Sequence, residues 1–397
     1  MKARAFLAQF EKLERLIERL PEGLQKPILR EIVPLKELFL RQRPPRLALT
    51  GDPSVDAAAL FSALFGALLP PEATQSRGWQ EFSRGGRGTI RVLDARPNGP
   101  RGALNDAARV AASAEAPDLV LHLHGMSTGD ARDFDGLNVL MQFVSDRHEH
   151  RPGLIGVAVA GVTEQLAPAE LEAARHALDA ALADRPEFGG HLAPTLGVAT
   201  AVRFRPDGTL DEASDHRCNI EVLANLLVAE LPNEAKLDMA RLSGARDGQA
   251  AIAKSLVKSV TAACGAIGTQ PIPLADLPVL LTLQIMMVSG ILYISGREAT
   301  FRLGAQFLAT LGLNFGAGFA FREVARSLVK FFPGWGNAIS GVVAAGGTYA
   351  LGRTATAYYI EGVSLGEAKK MFKRQRREPP PLLPERAKIE EPRIRHE

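Results

Sequence analysis

The chain has 397 residues, 46% of them hydrophobic and 23% charged, which is too apolar for a disordered chain and too long for one small module. Two cysteines, Cys218 and Cys264, cannot build a disulfide framework or a thiolate metal cage, and a reducing, cytoplasm-facing location follows. Residues 246–397 carry 19 Lys/Arg against 11 Asp/Glu and residues 1–245 carry 28 against 33, so the C-terminal half is the one suited to an anionic partner, a membrane surface or nucleic acid.

The opening MKARAFLAQFEKLERL has acidic residues where an export signal needs an unbroken apolar core, and no export is expected. Over residues 1–44, Phe6, Phe10, Leu13, Ile17 and Leu20 recur at helical spacing, and Pro21, Pro27 and Pro34 interrupt the run. This predicts two or three short amphipathic helices, broken at the prolines and packed on the next domain rather than inserted in lipid.

From residue 45 to 232 short apolar runs alternate with helical stretches: RLALT with a helix from Val55, GTIRVLD with one from Leu104, DLVLHLH with one from Phe134, LIGVAVA with one from Pro168, and TLGVATA with one from about Asp215. The alternation predicts a three-layer α/β domain with a mainly parallel sheet. Residues 233–365 read as a helical, membrane-associated domain, and 366–397 as a basic, proline-rich tail.

The first strand runs into Gly51-Asp52-Pro53-Ser54-Val55-Asp56-Ala57-Ala58, where a phosphate loop would sit. Such a loop, G-x-x-x-x-G-K-[ST], cradles phosphates with backbone N–H groups and a helix N-terminus, while its Lys and Ser/Thr handle charge and Mg²⁺. Here Asp56, Ala57 and Ala58 stand at the Gly, Lys and Ser/Thr positions. Asp56 would place the protein's own anion in the first helical turn, Pro53 removes one N–H, and Ser54 is read as the N-cap.

The order of elements, with GDPSVDAA in the loop position and LDAR at the end of a later strand, resembles an Era-type GTPase domain over about 190 residues. The resemblance implies a P-loop GTPase-like fold. It also implies that Asp94 of Asp94-Ala95-Arg96-Pro97 would be the aspartate that supports Mg²⁺, the following glycine of the motif being replaced. Ala160-Gly161-Val162-Thr163 stands where the guanine-reading motif belongs, and Thr200-Ala201 resembles the last guanine-contact motif. The pocket is therefore read as vestigial, formed by Gly51, Asp52, Ser54, Asp56, Ala57, Ala58 and Asp94. Read without the resemblance, Asp94 is a strand-end turn residue. The pairs His122/His124 and His148/His150 are read as packed or solvated imidazoles, because a metal needs three or four converging ligands.

Leu277–Gly296 is uncharged over 20 residues, long enough to cross a hydrocarbon core of about 30 Å. The later uncharged blocks 303–321 and 331–352 are interrupted by Gln306, Asn314, Pro333 and Asn337. KKMFKRQRR follows, with six cations in nine residues, the composition of a segment that meets anionic lipid. Pro271, Pro273, Asp276 and Gln284, then Pro333-Gly334-Trp335-Gly336 and Thr348-Tyr349-Ala350-Leu351-Gly352-Arg353, resemble the C-terminal domain of unknown function shared by some bacterial Era-like GTPases and YcjF-type membrane proteins. That resemblance spans about 110 residues and implies membrane association and a GTPase-like partner domain, without supplying catalytic residues.

The expected protein is a non-catalytic GTPase-like scaffold or regulatory protein at the cytoplasmic membrane face. No cofactor, metal or catalytic residue is expected. Its expected partners are membrane lipid, met through residues 277–352 and Lys369, Lys370, Lys373, Arg374, Arg376 and Arg377, and a protein, with no nucleic acid. Two alternatives stand beside it: a GTP-binding protein or slow GTPase that takes GTP with magnesium on a non-standard loop, and a soluble helical interaction module.

Overall fold

The computed structural model describes residues 3–18, 20, 22–69, 78–96, 112, 114–126, 134–148, 152–161, 168–268, 276–312 and 340–375. In chain order the elements are α1 (Ala3–Ile17), α2 (Glu22–Leu40), β1 (Arg46–Gly51), α3 (Ala57–Phe65), β2 (Gln80–Arg84), β3 (Gly88–Asp94) and β4 (Leu119–Gly125). Then come α4 (Phe134–His148), β5 (Gly153–Ala160), α5 (Pro168–Ala183), β6 (Leu196–Ala199), α6 (Ile220–Glu230) and α7 (Asn233–Ser243). The chain continues through α8 (Arg246–Gly268), α9 (Asp276–Ile294), α10 (Phe301–Gly312), α11 (Ser340–Tyr359) and α12 (Leu365–Gln375). The helix expected from Leu104 lies outside the described residues.

Residues 42–248 form one compact unit, and residues 1–41 with 249–397 form the other. The first is an α/β fold on a six-stranded sheet of order β2-β3-β1-β4-β5-β6, in which only β2 runs antiparallel to its neighbour. The five parallel strands are apolar runs because helices cover both faces. On one face Ala48, Val120, Leu154 and Ala158 meet Leu137, Leu140 and Val144 of α4 and Leu178 and Leu182 of α5; α3, α6 and α7 cover the other. Helix α7 belongs to this unit because Asp238 accepts a hydrogen bond from Thr89 N at 3.3 Å, while buried Arg241 donates to Gly86 O at 2.6 Å. At the amino-terminal edge of the sheet, Arg43 holds Asp118 with two hydrogen bonds of 2.7 Å.

Two predicted helix starts shift. The helix expected from Val55 begins at Ala57, because Asp56 caps it. The one expected from Asp215 begins at Ile220. Asp215 instead closes a turn by accepting from Arg217 N at 3.2 Å, and Asn219 precedes the helix at φ 55°.

In the helical unit, Pro27 and Pro34 do not end the run as expected: both lie inside α2. Each deletes one intrahelical hydrogen bond, but Ile28, Ile32, Leu35 and Phe39 line one buried stripe along the helix, and tertiary packing rather than propensity decides such cases. Helix α9, the expected spanning segment, is buried at every position from Val279 to Leu292. Its Gln284 donates to Thr348 Oγ1 on α11 at 3.0 Å. Helix α11 comes so close to α8 that a Cβ on Gly352 would lie 2.5 Å from Val257 Cγ2. Among the described residues, the helix long and apolar enough to cross a membrane is α8, half of whose apolar window is buried; the apolar stretch Val279–Ile294 is shorter.

Candidate functional site

Counting outward from β1, the chain order runs one way to β3 and β2 and the other way to β4, β5 and β6. In open α/β sheets ligands bind beyond the carboxyl ends of the strands at such a reversal. Three segments meet there: the loop after β1, the end of β3 and the end of β4.

Gly51 closes β1 at φ 94°, and a Cβ on it would lie 2.2 Å from Leu123 O. No other residue fits between these strands without moving backbone. Asp52 follows, buried, its N–H donating to Leu123 O at 2.9 Å. Its carboxylate accepts from Ser54 N at 2.8 Å and from Gly125 N at 3.3 Å, so one side chain ties the β1 loop to the end of β4. Ser54 is thus held by Asp52 and is not the N-cap expected for it. Asp56 takes that position, accepting from Ala59 N at 2.9 Å, and its negative charge sits at the positive end of the α3 dipole. Ala57 and Ala58 are buried in the first turn of α3. Asp56→Ala should cost about 1 kcal/mol of stability, readable as a lowered urea midpoint.

The end of β3 supplies the group that organises this loop. Asp94 accepts from Arg96 N at 3.1 Å, the turn expected of a strand-end aspartate. It also receives the Arg96 guanidinium in a two-point contact, Nε to Oδ1 at 2.9 Å and Nη2 to Oδ2 at 2.7 Å. The third guanidinium nitrogen, Nη1, donates to Asp52 O at 3.2 Å and Val55 O at 2.6 Å. Arg96 is only 8% exposed. A cation of the protein's own therefore sits among Asp94 and the loop carbonyls.

Behind the loop, Thr50 Oγ1 and His122 Nδ1 share a buried hydrogen bond of 3.1 Å. The His122 ring stacks on Phe134 at 5.1 Å between centroids, and Arg185 lies over the other end of this assembly, 4.2 Å from the Phe134 ring. Burial, with positive charge from His124 and Arg185, pushes the His122 pKa down to about 3, so the imidazole stays neutral at physiological pH. His148 reaches Ala112 O at 2.7 Å instead of joining this pair, and His150 lies outside the described residues. Among the described residues no three His, Cys, Asp or Glu side chains converge as metal ligands.

At the next strand ends Thr200 is buried and donates through Oγ1 to Ala160 O at 3.1 Å, its hydroxyl used inside the sheet. Val162 and Thr163 lie outside the described residues. The structure thus brings Gly51, Asp52, Ser54, Asp56 and Asp94 to one strand-end cluster. The organising residue is Arg96, to which no role was given from sequence; its signal was a cation two residues beyond a strand-end aspartate.

No family model matches the chain. It is 30% identical over 122 residues to magnetosome membrane protein 22 of Magnetospirillum gryphiswaldense, a stretch covering 29% of this chain and 61% of that protein. The chain thus spans less than two thirds of the length of this relative, whose name places it in a membrane.

Proposed function

We propose that the α/β unit is a GTPase-like module that has exchanged nucleotide for an internal ion pair, and that it serves as a scaffold or regulatory element in a protein working at the cytoplasmic face of a membrane. The observation that carries this reading is Arg96. A phosphate loop functions by turning free N–H groups inward, whereas this loop turns the Asp52 and Val55 carbonyls toward a guanidinium. The amides of Asp52, Ser54 and Ala59 already donate to Leu123 O, Asp52 Oδ1 and Asp56 Oδ1. The residues present do not fit GTP and magnesium: the carboxylate that would support the metal is neutralised by Arg96, and Asp56 puts a negative charge where phosphate would dock. The strand-order reversal above the loop supports descent from a ligand-binding sheet, and the relative's name supports the membrane setting.

Titration of the full chain with fluorescent GTP and ATP analogues in the presence of Mg²⁺ tests the reading. No saturable binding is expected in the micromolar range. Micromolar affinity that weakens in Asp94→Ala would show a working metal-nucleotide site and end the proposal.

A further inference from the structure

A protein that works at a membrane needs a surface that meets the lipid, and three helices of the helical unit compete for that role. Helix α9 is enclosed by protein along Val279–Leu292, so it has no apolar face left to give to lipid. Helix α8 is long and apolar enough to cross a membrane, yet it is amphipathic in place: Ile252, Leu256, Val260 and Ile267 are buried while Lys254 and Lys258, mid-helix, are exposed. Exposed cations at the centre of a span are disfavoured in hydrocarbon.

Helix α12 is different. It is fixed at its start by a reciprocal cap in which Glu367 N donates to Ser364 Oγ at 3.3 Å, and Ser364 Oγ and N donate to the Glu367 carboxylate at 2.7 and 3.3 Å. The Glu367 pKa is lowered, first by the Ser364 hydroxyl. The one acidic side chain of the helix is thus committed to its N-terminus. Ala368 is buried against the rest of the unit, and Lys370, Lys373 and Arg374 form an exposed face about one turn long. Two of these cations lie in the last turn, where the helix dipole favours positive charge. Arg376 and Arg377 follow in the sequence, outside the described residues.

Resting on the membrane reading above, we propose that α12 is a peripheral docking surface for anionic lipid headgroups, its cationic face lying on the bilayer while α8 and α9 stay out of the hydrocarbon. The capped helix presents its charges in a fixed array, so little ordering is needed on contact. The attraction is electrostatic and is screened over about 8 Å at physiological salt.

Flotation of the full chain with vesicles of phosphatidylcholine alone, or with 30 mol% phosphatidylserine added, tests this. Binding is expected only with phosphatidylserine. It should fall at least about tenfold between 0.1 and 0.5 M NaCl and be extracted by carbonate. K370E/K373E/R374E should weaken it by about 100-fold, K370Q/K373Q/R374Q by less, and K254E/K258E by under about twofold; circular dichroism confirms that each variant is folded. Salt- and carbonate-resistant binding would mean insertion and overturn the proposal. Full binding by K370E/K373E/R374E would overturn it while leaving the membrane reading intact, whereas no binding to any vesicle would overturn both. Tighter binding to a duplex oligonucleotide than to the anionic vesicles, lost in the same variant, would assign the face to nucleic acid instead.

Discussion

Arg96→Met is expected to destabilise the α/β unit by about 3 to 5 kcal/mol, the usual cost of breaking a buried ion pair from one side. The side chains of Arg96 and Asp94 are 8% and 17% exposed, so the pair is screened little by solvent. Methionine fills much of the same volume but leaves the Asp94 carboxylate without its counter-charge and takes the donor from Asp52 O and Val55 O. An unsatisfied buried group costs its full desolvation. Asp94→Asn should cost less, because an amide oxygen can still close the turn to Arg96 N. The double variant Arg96→Met/Asp94→Leu should cost clearly less than the sum of its parts, since no lone charge remains. Hydrogen exchange of peptides covering β1 and β4 reads the opening free energy of this unit. Unchanged protection in Arg96→Met would refute the claim that Arg96 holds the loop.

The sheet was legible where strands are buried on both faces. RLALT, GTIRVLD, DLVLHLH, LIGVAVA and TLGVATA all became parallel strands, because a covered strand must be apolar throughout and such runs stand out. Strand β2, QEFSR, did not stand out. It is an edge strand whose side chains alternate between half-buried and exposed, and its five residues carry one large apolar side chain, Phe82.

The helical unit was less legible, for the opposite reason. Its helix α9 carries no charge after Asp276 and is apolar on every side, and the sequence pattern of a helix surrounded by lipid is the same as that of one surrounded by protein. Only the neighbours decide, and here they are α8, α10, α11 and the N-terminal helices. The prolines of α2 misled because a breaker's cost is local, whereas the burial of Ile28, Ile32, Leu35 and Phe39 is supplied by residues more than 200 positions away in sequence, Leu256 and Met286 among them.

The strand-end cluster was half legible. Asp56, Ala57 and Ala58 in place of Gly, Lys and Ser/Thr announced that a phosphate site would be incomplete, but a sequence cannot say what occupies the space instead. The answer depends on the pairing of β1 with β3, which sets Leu49 opposite Asp94 and so brings Arg96 under the loop. Likewise the parallel register Thr50↔His122 joins a hydroxyl and an imidazole that are 72 residues apart. Both contacts are cross-strand, and their partners become neighbours only when strand order is known.

That second contact makes the stability of the α/β unit depend on pH in a calculable direction. His122 titrates at about 3 in the folded protein against an ordinary 6.5, chiefly through burial and then through the positive charge of His124 and Arg185. Between these values the unfolded chain binds a proton that the folded chain does not, so stability rises with pH through the window and is lost as pH falls below about 6.5. The slope from this one group approaches about 1.4 kcal/mol per pH unit. Carboxylates contribute to acid sensitivity as well, which is why the comparison must be with His122→Gln, a residue that keeps a polar partner for Thr50 but does not titrate. Whatever fixed cost the glutamine brings cancels when each protein is compared with itself. Between pH 7.5 and 4.5 the parent should lose about 3 kcal/mol more than the variant, measured as the opening free energy of β4 amides after correction for intrinsic exchange. Equal losses in the two proteins would mean that His122 accepts a proton in the folded state, and that the buried, neutral imidazole bonded to Thr50 does not describe this site.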